Sequence, residues 1–447
     1  MQFLKRLFSS LKPIRLNGNN RLFLLFYYAL RATKNNSARA ELGYFKFFIH
    51  CTFSLVLLLI AALTICQMQA KTKLASKQHQ QQSAYKRVRV LLKTIPTSAN
   101  EPLLIGTTGK QLQLYDDAIS LKRIKNGAAL KVQQKNGQLF VNSKKYRQQK
   151  LIIASKDGHI CFADKQYDGI ISLVLHKNEL LIINEVPIEE YICSVLRTES
   201  WPGWPLEVNK VFAITSRTYV VSMIDEAKKI ARPYDVHNCN RHQTYQGVHD
   251  KKILKDAVKQ TEGLIMAYNQ KPIIAMFDSC CGGVIPADVQ GVNFSDAPYL
   301  ARSYACTYCK PCNIYSWQVS FSYDQLTEKL KQHLPKKARV SHILVSKQDR
   351  AELVQEVFIQ CGKKRAYVDG KKLYSAFKEV KSFCYTITKD AKGVTFNGRG
   401  YGHHIGLCQW GAREMVRAGF DYRSILKFYY PGVTFSTIKR DDESSFY

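Results

Sequence analysis

The chain has 447 residues, with 66 Lys and Arg against 35 Asp and Glu, a formal net charge of +31. That balance excludes an acidic solubiliser or an acidic metal buffer, and a hydrophobic content of 46% excludes wholesale disorder. Thirteen cysteines are too few for a miniprotein built on disulfides, and the cationic excess points to a polyanion or an anionic surface as partner.

Residues 1–46 form a basic segment in which Lys5, Arg6, Lys12, Arg15, Arg21, Arg31, Lys34, Arg39 and Lys46 face only Glu41. Residues 47–66 carry no Asp, Glu, Lys or Arg over 20 positions. As a helix they span roughly 30 Å, the thickness of a bilayer core. The charge bias predicts a cytoplasmic N-terminus and a single-pass signal anchor in the inner (cytoplasmic) membrane, with the rest of the chain exported. A cleaved signal peptide is the nearest rival, and Leu63-Thr64-Ile65-Cys66 is similar to a lipoprotein cleavage box with Ile65 in the small residue's place. Residues 67–86, Gln- and Lys-rich without periodicity, read as a tether.

From 87 to 184 short runs of Val, Ile and Leu alternate with polar residues and break at Lys-Asn-Gly and Lys-Asp-Gly, which predicts a β-rich module. At Pro187 the period changes. Pro at a helix start, Glu189 and Glu190 in the first turn, and Ile188, Tyr191, Ile192, Val195 and Leu196 at helical spacing predict a helix. A second helix opens at Pro205-Leu206-Glu207, after the aromatic corner Trp201-Pro202-Gly203-Trp204. Residues 295–345 read as an insertion with a cysteine group and a Lys-rich helix. The chain then closes on a Gly-rich stretch at 397–412, a last helix ending near Tyr430-Pro431-Gly432, and a polar tail at 437–447. The fold class expected is α+β: an N-terminal β-rich module and a helical catalytic core, 185–436, with a Gly-rich closing segment. No internal repeat is present.

Glu199 follows Ile188 by 11 residues, which returns it to nearly the same helical face, beside Ile192, Val195 and Trp201. A carboxyl held against apolar surface keeps its proton to higher pH, the condition for a general acid. A helix that frays at Thr198 leaves Glu199 as a surface carboxylate instead. His237, Cys239 and His242 lie within six residues and can converge on zinc with one position open, or form a polar loop with a free cysteine. Cys280-Cys281 and Cys306-x2-Cys309-x2-Cys312 form the densest thiol group. A reducing compartment would make it a metal or cluster site, an exported one disulfides. Gly398-x-Gly400-x-x puts His403 where a dinucleotide fingerprint needs its third glycine, so no nucleotide is expected. The glycines there are expected to let the backbone approach a large substrate, with His403 and His404 projecting into it; a glycine-dense turn before a helix is the plainer alternative.

Three blocks resemble the stage II sporulation protein D family, over roughly 87–435. They are Asn184-Glu185-Val186-Pro187 through Glu199 with Trp204-Pro205-Leu206-Glu207; Ser216-Arg217-Thr218-Tyr219; and Gly398-Arg399-Gly400-Tyr401-Gly402-His403 with Gly406, Gln409 and Gly411-Ala412. The resemblance implies a membrane-anchored lytic transglycosylase of peptidoglycan. Such an enzyme cleaves between N-acetylmuramic acid and N-acetylglucosamine on strands already stripped of stem peptides by an N-acetylmuramoyl-L-alanine amidase, leaving 1,6-anhydro ends. Glu199 takes the place of the catalytic residue, and Arg217, Gln243, Tyr245, Ser279, Arg399, His403 and Gln409 those of substrate contacts; for Arg217 a buried structural residue bridging the two helices is the alternative. The family's zinc-binding cysteines before Gln-x-Tyr fall on His237 and His242, so the implied zinc ligands are His237, Cys239 and His242. Cys280-Cys281 stands where the family has a Ser-Thr-Ser-Gly-Gly-like segment. A non-catalytic glycan-binding protein that recruits or enhances an amidase is the alternative, and nucleic acid is not an expected partner of an exported chain.

Overall fold

The structure, a computed structural model, describes residues 87–438 except 97, 99, 100, 117, 118, 126–128, 202, 241 and 390–392, and only the backbone of 119–125. The anticipated membrane helix, tether and most of the polar tail lie outside the described residues. Among the described residues no helix is long and apolar enough to cross a membrane.

The architecture is mixed α+β with a β-rich N-terminal region. Strand Arg87–Pro96 pairs antiparallel with Glu179–Pro187, which continues through Ile170–His176, Lys150–Ser155, Gln111–Asp116 and Ile119–Lys125. A second sheet of six strands runs from Lys165–Tyr167 to Lys144–Tyr146. Alternation of apolar and polar residues sets which side faces inward: in Leu130–Lys135, Leu130, Val132 and Gln134 are buried or nearly so while Lys131 and Lys135 are exposed. Both sheets and the helices beyond them share one apolar core.

Strand Glu179–Pro187 runs straight into α1 (Ile188–Glu199), since Pro187 fixes φ at −54° and supplies no N–H at the turn. The buried side of α1, with Tyr191, Ile192, Val195 and Leu196, packs on α2 (Leu206–Lys229). The middle of α2 is buried on nearly every face, so it is the central rod of the core. α3 (Lys252–Gln260) covers α2, and strand Leu264–Tyr268 pairs with Lys271–Pro272 and Thr434–Thr437.

A second apolar core, built around Phe321, Leu326, Val357, Ile359, Phe377 and Phe396, belongs to a separate module. Strand Ser316–Ser322 pairs with Gly393–Arg399, and α4 (Tyr323–Leu330) follows it, started by a reciprocal cap between Ser322 and Gln325. Strands His342–Gln348, Val354–Cys361 and Lys364–Asp369 and α5 (Gly370–Ala376) complete the module. The insertion expected at 295–345 therefore takes in only part of it. The strands after 345 turn back on those before it, and their apolar faces close the second core. The chain then returns through α6 (Gln409–Arg417) and α7 (Tyr422–Tyr429) to the first core.

Candidate active site

Glu199 is the last residue of α1, half-buried. Burial pushes its carboxyl above the usual carboxylate range, opposed by a hydrogen bond from the Thr244 N–H to Oε1 at 3.4 Å. The negative end of the α1 dipole works in the same direction as burial. The helix end is clamped rather than frayed: Thr198 Oγ1 donates to Thr244 O at 2.7 Å, and Gln409 Nε2 donates to Glu199 O at 3.0 Å. The alternative of a frayed surface carboxylate does not describe this residue.

Three tryptophans gather beside it. Trp204 is buried, Trp201 is 52% exposed, and Trp410 of α6 meets Trp204 edge-on at 5.4 Å and Trp201 at 6.2 Å between ring centroids. Arg413 lies over the Trp410 ring at 5.0 Å. Buried Asn209 of α2 holds the corner, donating to Trp204 O at 3.0 Å and pairing with Ser200. Trp410 and Asn209 escaped the sequence reading: Asn209 sits among apolar residues at helical spacing, and nothing in local periodicity links Trp410 to the corner at 201–204.

Several expected substrate contacts hold the scaffold instead. Arg217 is fully buried, forks onto Glu189 at 2.9 and 2.5 Å, and donates to Leu264 O at 3.1 Å. It bridges α1, α2 and the following strand and has no surface to offer a ligand. Gln243 and Tyr245 are 1% exposed. Gln243 accepts from Tyr191 Oη at 2.9 Å, and Tyr245 Oη donates to Asn184 Oδ1 at 2.7 Å, which pins the 243–245 loop under Glu199. Gln409 is buried with its amide on Glu199 O, so it positions the glutamate's backbone. Ser279 is half-buried and its carbonyl accepts the Trp410 N–H at 3.1 Å.

Arg399 pairs with Glu352 at 2.7 Å and with Gly282 O. It lines a cavity of about 560 Å³ with Trp317, Gln318, Tyr385 and Asn397, and Glu199 is not among the lining residues. His403 is half-buried, held below its usual pKa by desolvation, and its Nδ1 accepts the Ile405 N–H at 3.2 Å. His404, expected to project toward substrate, is fully buried with Nδ1 on Cys281 O at 2.9 Å. Nor do the glycines open the backbone to a ligand at these positions. A Cβ at Gly406 would stand 1.9 Å from Met276 O, and one at Gly402 2.3 Å from Asp278 Cβ, both at positive φ. They let 398–408 cross the 276–283 segment, where buried Asp278 accepts the His404 N–H at 2.7 Å.

The loop expected to hold zinc brings the His237 and His242 rings to 5.5 Å of each other without making a three-donor group with Cys239. His237 pairs in register with Leu91 and its ring meets Tyr234 Oη at 3.1 Å, while His242 Nδ1 meets Tyr219 Oη at 3.3 Å. Strand pairing fixes His237 and tyrosine hydroxyls meet both rings, and Cys239 does not join them in a donor group. Among the described residues the group of donors close enough to hold a metal ion is Cys281, Cys306, Cys309 and Cys408, all buried.

Residues 176–268 match the family described as Stage II sporulation protein, and residues 304–406 match a domain of unknown function. An uncharacterized protein of Brachyspira hyodysenteriae is 30% identical over 323 residues, 71% of this chain and 84% of that protein. Stage II sporulation protein D of Bacillus subtilis is 25% identical over 280 residues, 60% of this chain and 79% of that protein. The Amidase enhancer of the same organism is 28% identical over 293 residues, 54% of this chain but 40% of that protein. By these matches the chain belongs to the stage II sporulation protein D family.

Proposed function

We propose that this protein is a lytic transglycosylase of peptidoglycan that cleaves glycan strands lacking stem peptides, with Glu199 as acid and then base. Glu199 gives its proton to the oxygen linking N-acetylmuramic acid to N-acetylglucosamine. The muramic 6-hydroxyl then attacks the anomeric carbon and returns its proton to the carboxylate, closing the 1,6-anhydro ring without consuming water. One carboxyl suffices because the sugar supplies the nucleophile, unlike the two-carboxylate hydrolases. The observation that carries the reading is the raised Glu199 carboxyl at a clamped helix end beside an exposed Trp201. Tryptophan faces are suited to stacking on sugar rings. Residues 47–66 would anchor the chain in the inner membrane with this site outside it, downstream of an amidase that strips the strands.

The full chain is incubated with peptide-free strands and the products are read by mass spectrometry for anhydro ends. Glu199→Gln, close in shape but without the transferable proton, is expected to abolish them while strand binding persists. Anhydro ends at the wild-type rate from Glu199→Gln would remove Glu199 from the chemistry. The similarity to the Amidase enhancer supports a second reading, glycan binding that raises amidase turnover. Absence of anhydro ends with faster amidase release of stem peptides would favour it.

A further inference from the structure

We propose that Cys281, Cys306, Cys309 and Cys408 form a four-thiolate zinc site that ties the turns leading into the second module to the start of α6, the helix whose Gln409 holds the Glu199 backbone. The four sulfurs are buried and all lie within 4.8 Å of one another, with Cys281 and Cys309 3.7 Å apart. Zinc bound by four thiolates at about 2.3 Å has a tetrahedral edge of about 3.8 Å, so the group is already close to the size of a mononuclear site. A four-iron cube would hold its cysteine sulfurs farther apart, since iron and sulfide lie between them. Two disulfides would sort the sulfurs into bonded pairs at about 2.05 Å, whereas these four are mutually close.

Hydrogen-bond donors already reach two of the sulfurs. Cys408 Sγ receives the N–H groups of Cys281 at 3.2 Å and Gly411 at 3.3 Å, and Cys306 Sγ meets Tyr429 Oη at 3.1 Å. Donors of this kind orient ligands and spread their charge. A Cβ on Gly411 would lie 2.8 Å from Cys306 Sγ and 3.2 Å from Cys408 Sγ, so glycine there leaves room for the sulfurs. Four thiols binding Zn²⁺ release four protons and leave a net charge of −2. Two features offset it: Cys408 caps the positive end of α6, and buried Arg302 lies 5.8 Å over the Tyr429 ring.

The ligands come from three places. Cys281 belongs to the segment crossed by the Gly-rich stretch, Cys306 and Cys309 to the tight turns leading into the second module, and Cys408 to the start of α6. The residue after Cys408 is Gln409, whose amide holds Glu199 O. Metal at this point fixes three chain segments and the backbone of Glu199 together. Cys280, 3.7 Å from Cys312, touches Cys309 and Cys408 but is not one of the four mutually close sulfurs.

Elemental analysis of the full chain purified without chelator is expected to give one zinc per chain. Exchange with Co²⁺ is expected to give thiolate-to-cobalt charge transfer in the near ultraviolet and the strong visible bands of a tetrahedral site. Cys309→Ser loses the metal, while Cys280→Ser and Cys239→Ser keep it. A folded chain without transition metal, iron in place of zinc, or a Cys309→Ser chain with its metal intact overturns the proposal. Should Cys309→Ser fail to fold, the cobalt spectrum of the unaltered chain decides, and lack of thiolate charge transfer overturns it. These readouts do not use glycan cleavage, so they stand or fall apart from the proposed activity.

Discussion

Glu199 carries both the chemistry proposed and a cost to the fold. Because burial raises its pKa, the folded chain retains a proton over a pH range in which the unfolded chain has lost it. Stability therefore falls as pH rises through that range, from the ordinary glutamate value of about 4.3 upward. Glu199→Gln removes the titration, so its melting temperature is expected to exceed that of the unaltered chain at neutral pH and to match it below about pH 4. An equal difference at both pH values would mean that the carboxyl is not strained by burial. The same shift sets the rate: the acid form is lost as pH rises through the raised value, so turnover is expected to fall on the alkaline side. A pH–rate profile flat from acid to alkaline would rule Glu199 out as the acid. At this scale the sequence was informative because helical period alone puts Glu199 on the face of Ile192 and Val195. It was silent on Trp410, which only the return of the chain after the second module brings to the corner.

The two helices were readable as elements, because a proline with acidic residues after it marks each start and the apolar positions recur at helical spacing. Which of two roles Arg217 plays on the second of them, substrate contact or buried bridge between the helices, was not readable. A guanidinium in a motif looks the same whether it faces a ligand or a neighbouring helix, and only burial distinguishes them. Arg217→Ala would leave Glu189 half-enclosed without its partner and strip the donor from Leu264 O. Removing one member of a buried pair costs about 3–5 kcal/mol, so the expected outcome is a large loss of stability by denaturant or thermal unfolding. Lys at this position restores little, because it cannot fork onto both oxygens of Glu189. Glu189→Gln together with Arg217→Met is expected to recover part of the loss. A folded Arg217→Ala chain of normal stability and weakened strand affinity would return this residue to substrate recognition. Of the two metal groups the spacing offered, His237 and His242 do come within 5.5 Å of each other, but their rings meet tyrosine hydroxyls and Cys239 does not complete a donor set. In the thiol group Cys281, Cys306 and Cys309 meet, and only Cys408, about a hundred residues on, was not legible.

The molecule as a whole puts a β-rich region, a helical core and a second module with its own core in one chain, and the boundary of that module was the least readable feature. Its later strands have ordinary β-forming sequence, and only their pairing back onto 342–348 shows that they belong to it. Charge, by contrast, needs no fold to be read. The positive balance that remains once the basic 1–46 segment is set aside acts on any anionic polymer within a screening length, which is about 30 Å in 0.01 M salt and about 8 Å at physiological strength. A glycan strand without stem peptides presents one free lactyl carboxylate per disaccharide, whereas an uncharged oligomer of N-acetylglucosamine offers the same ring faces and no charge. If long-range attraction gathers the substrate and the tryptophans only grip it, the two ligands respond differently to salt. Affinity of the full chain for peptide-free strands is expected to fall severalfold between about 0.01 M and 0.15 M NaCl, chiefly through slower association. Affinity for the uncharged oligomer is expected to stay nearly constant, and Trp201→Ala to weaken both ligands by a similar factor. Binding kinetics on immobilised strands, run with both ligands at each salt concentration, checks this. The same salt slope for charged and uncharged sugars would show that the positive surface plays no part in recognising the strand.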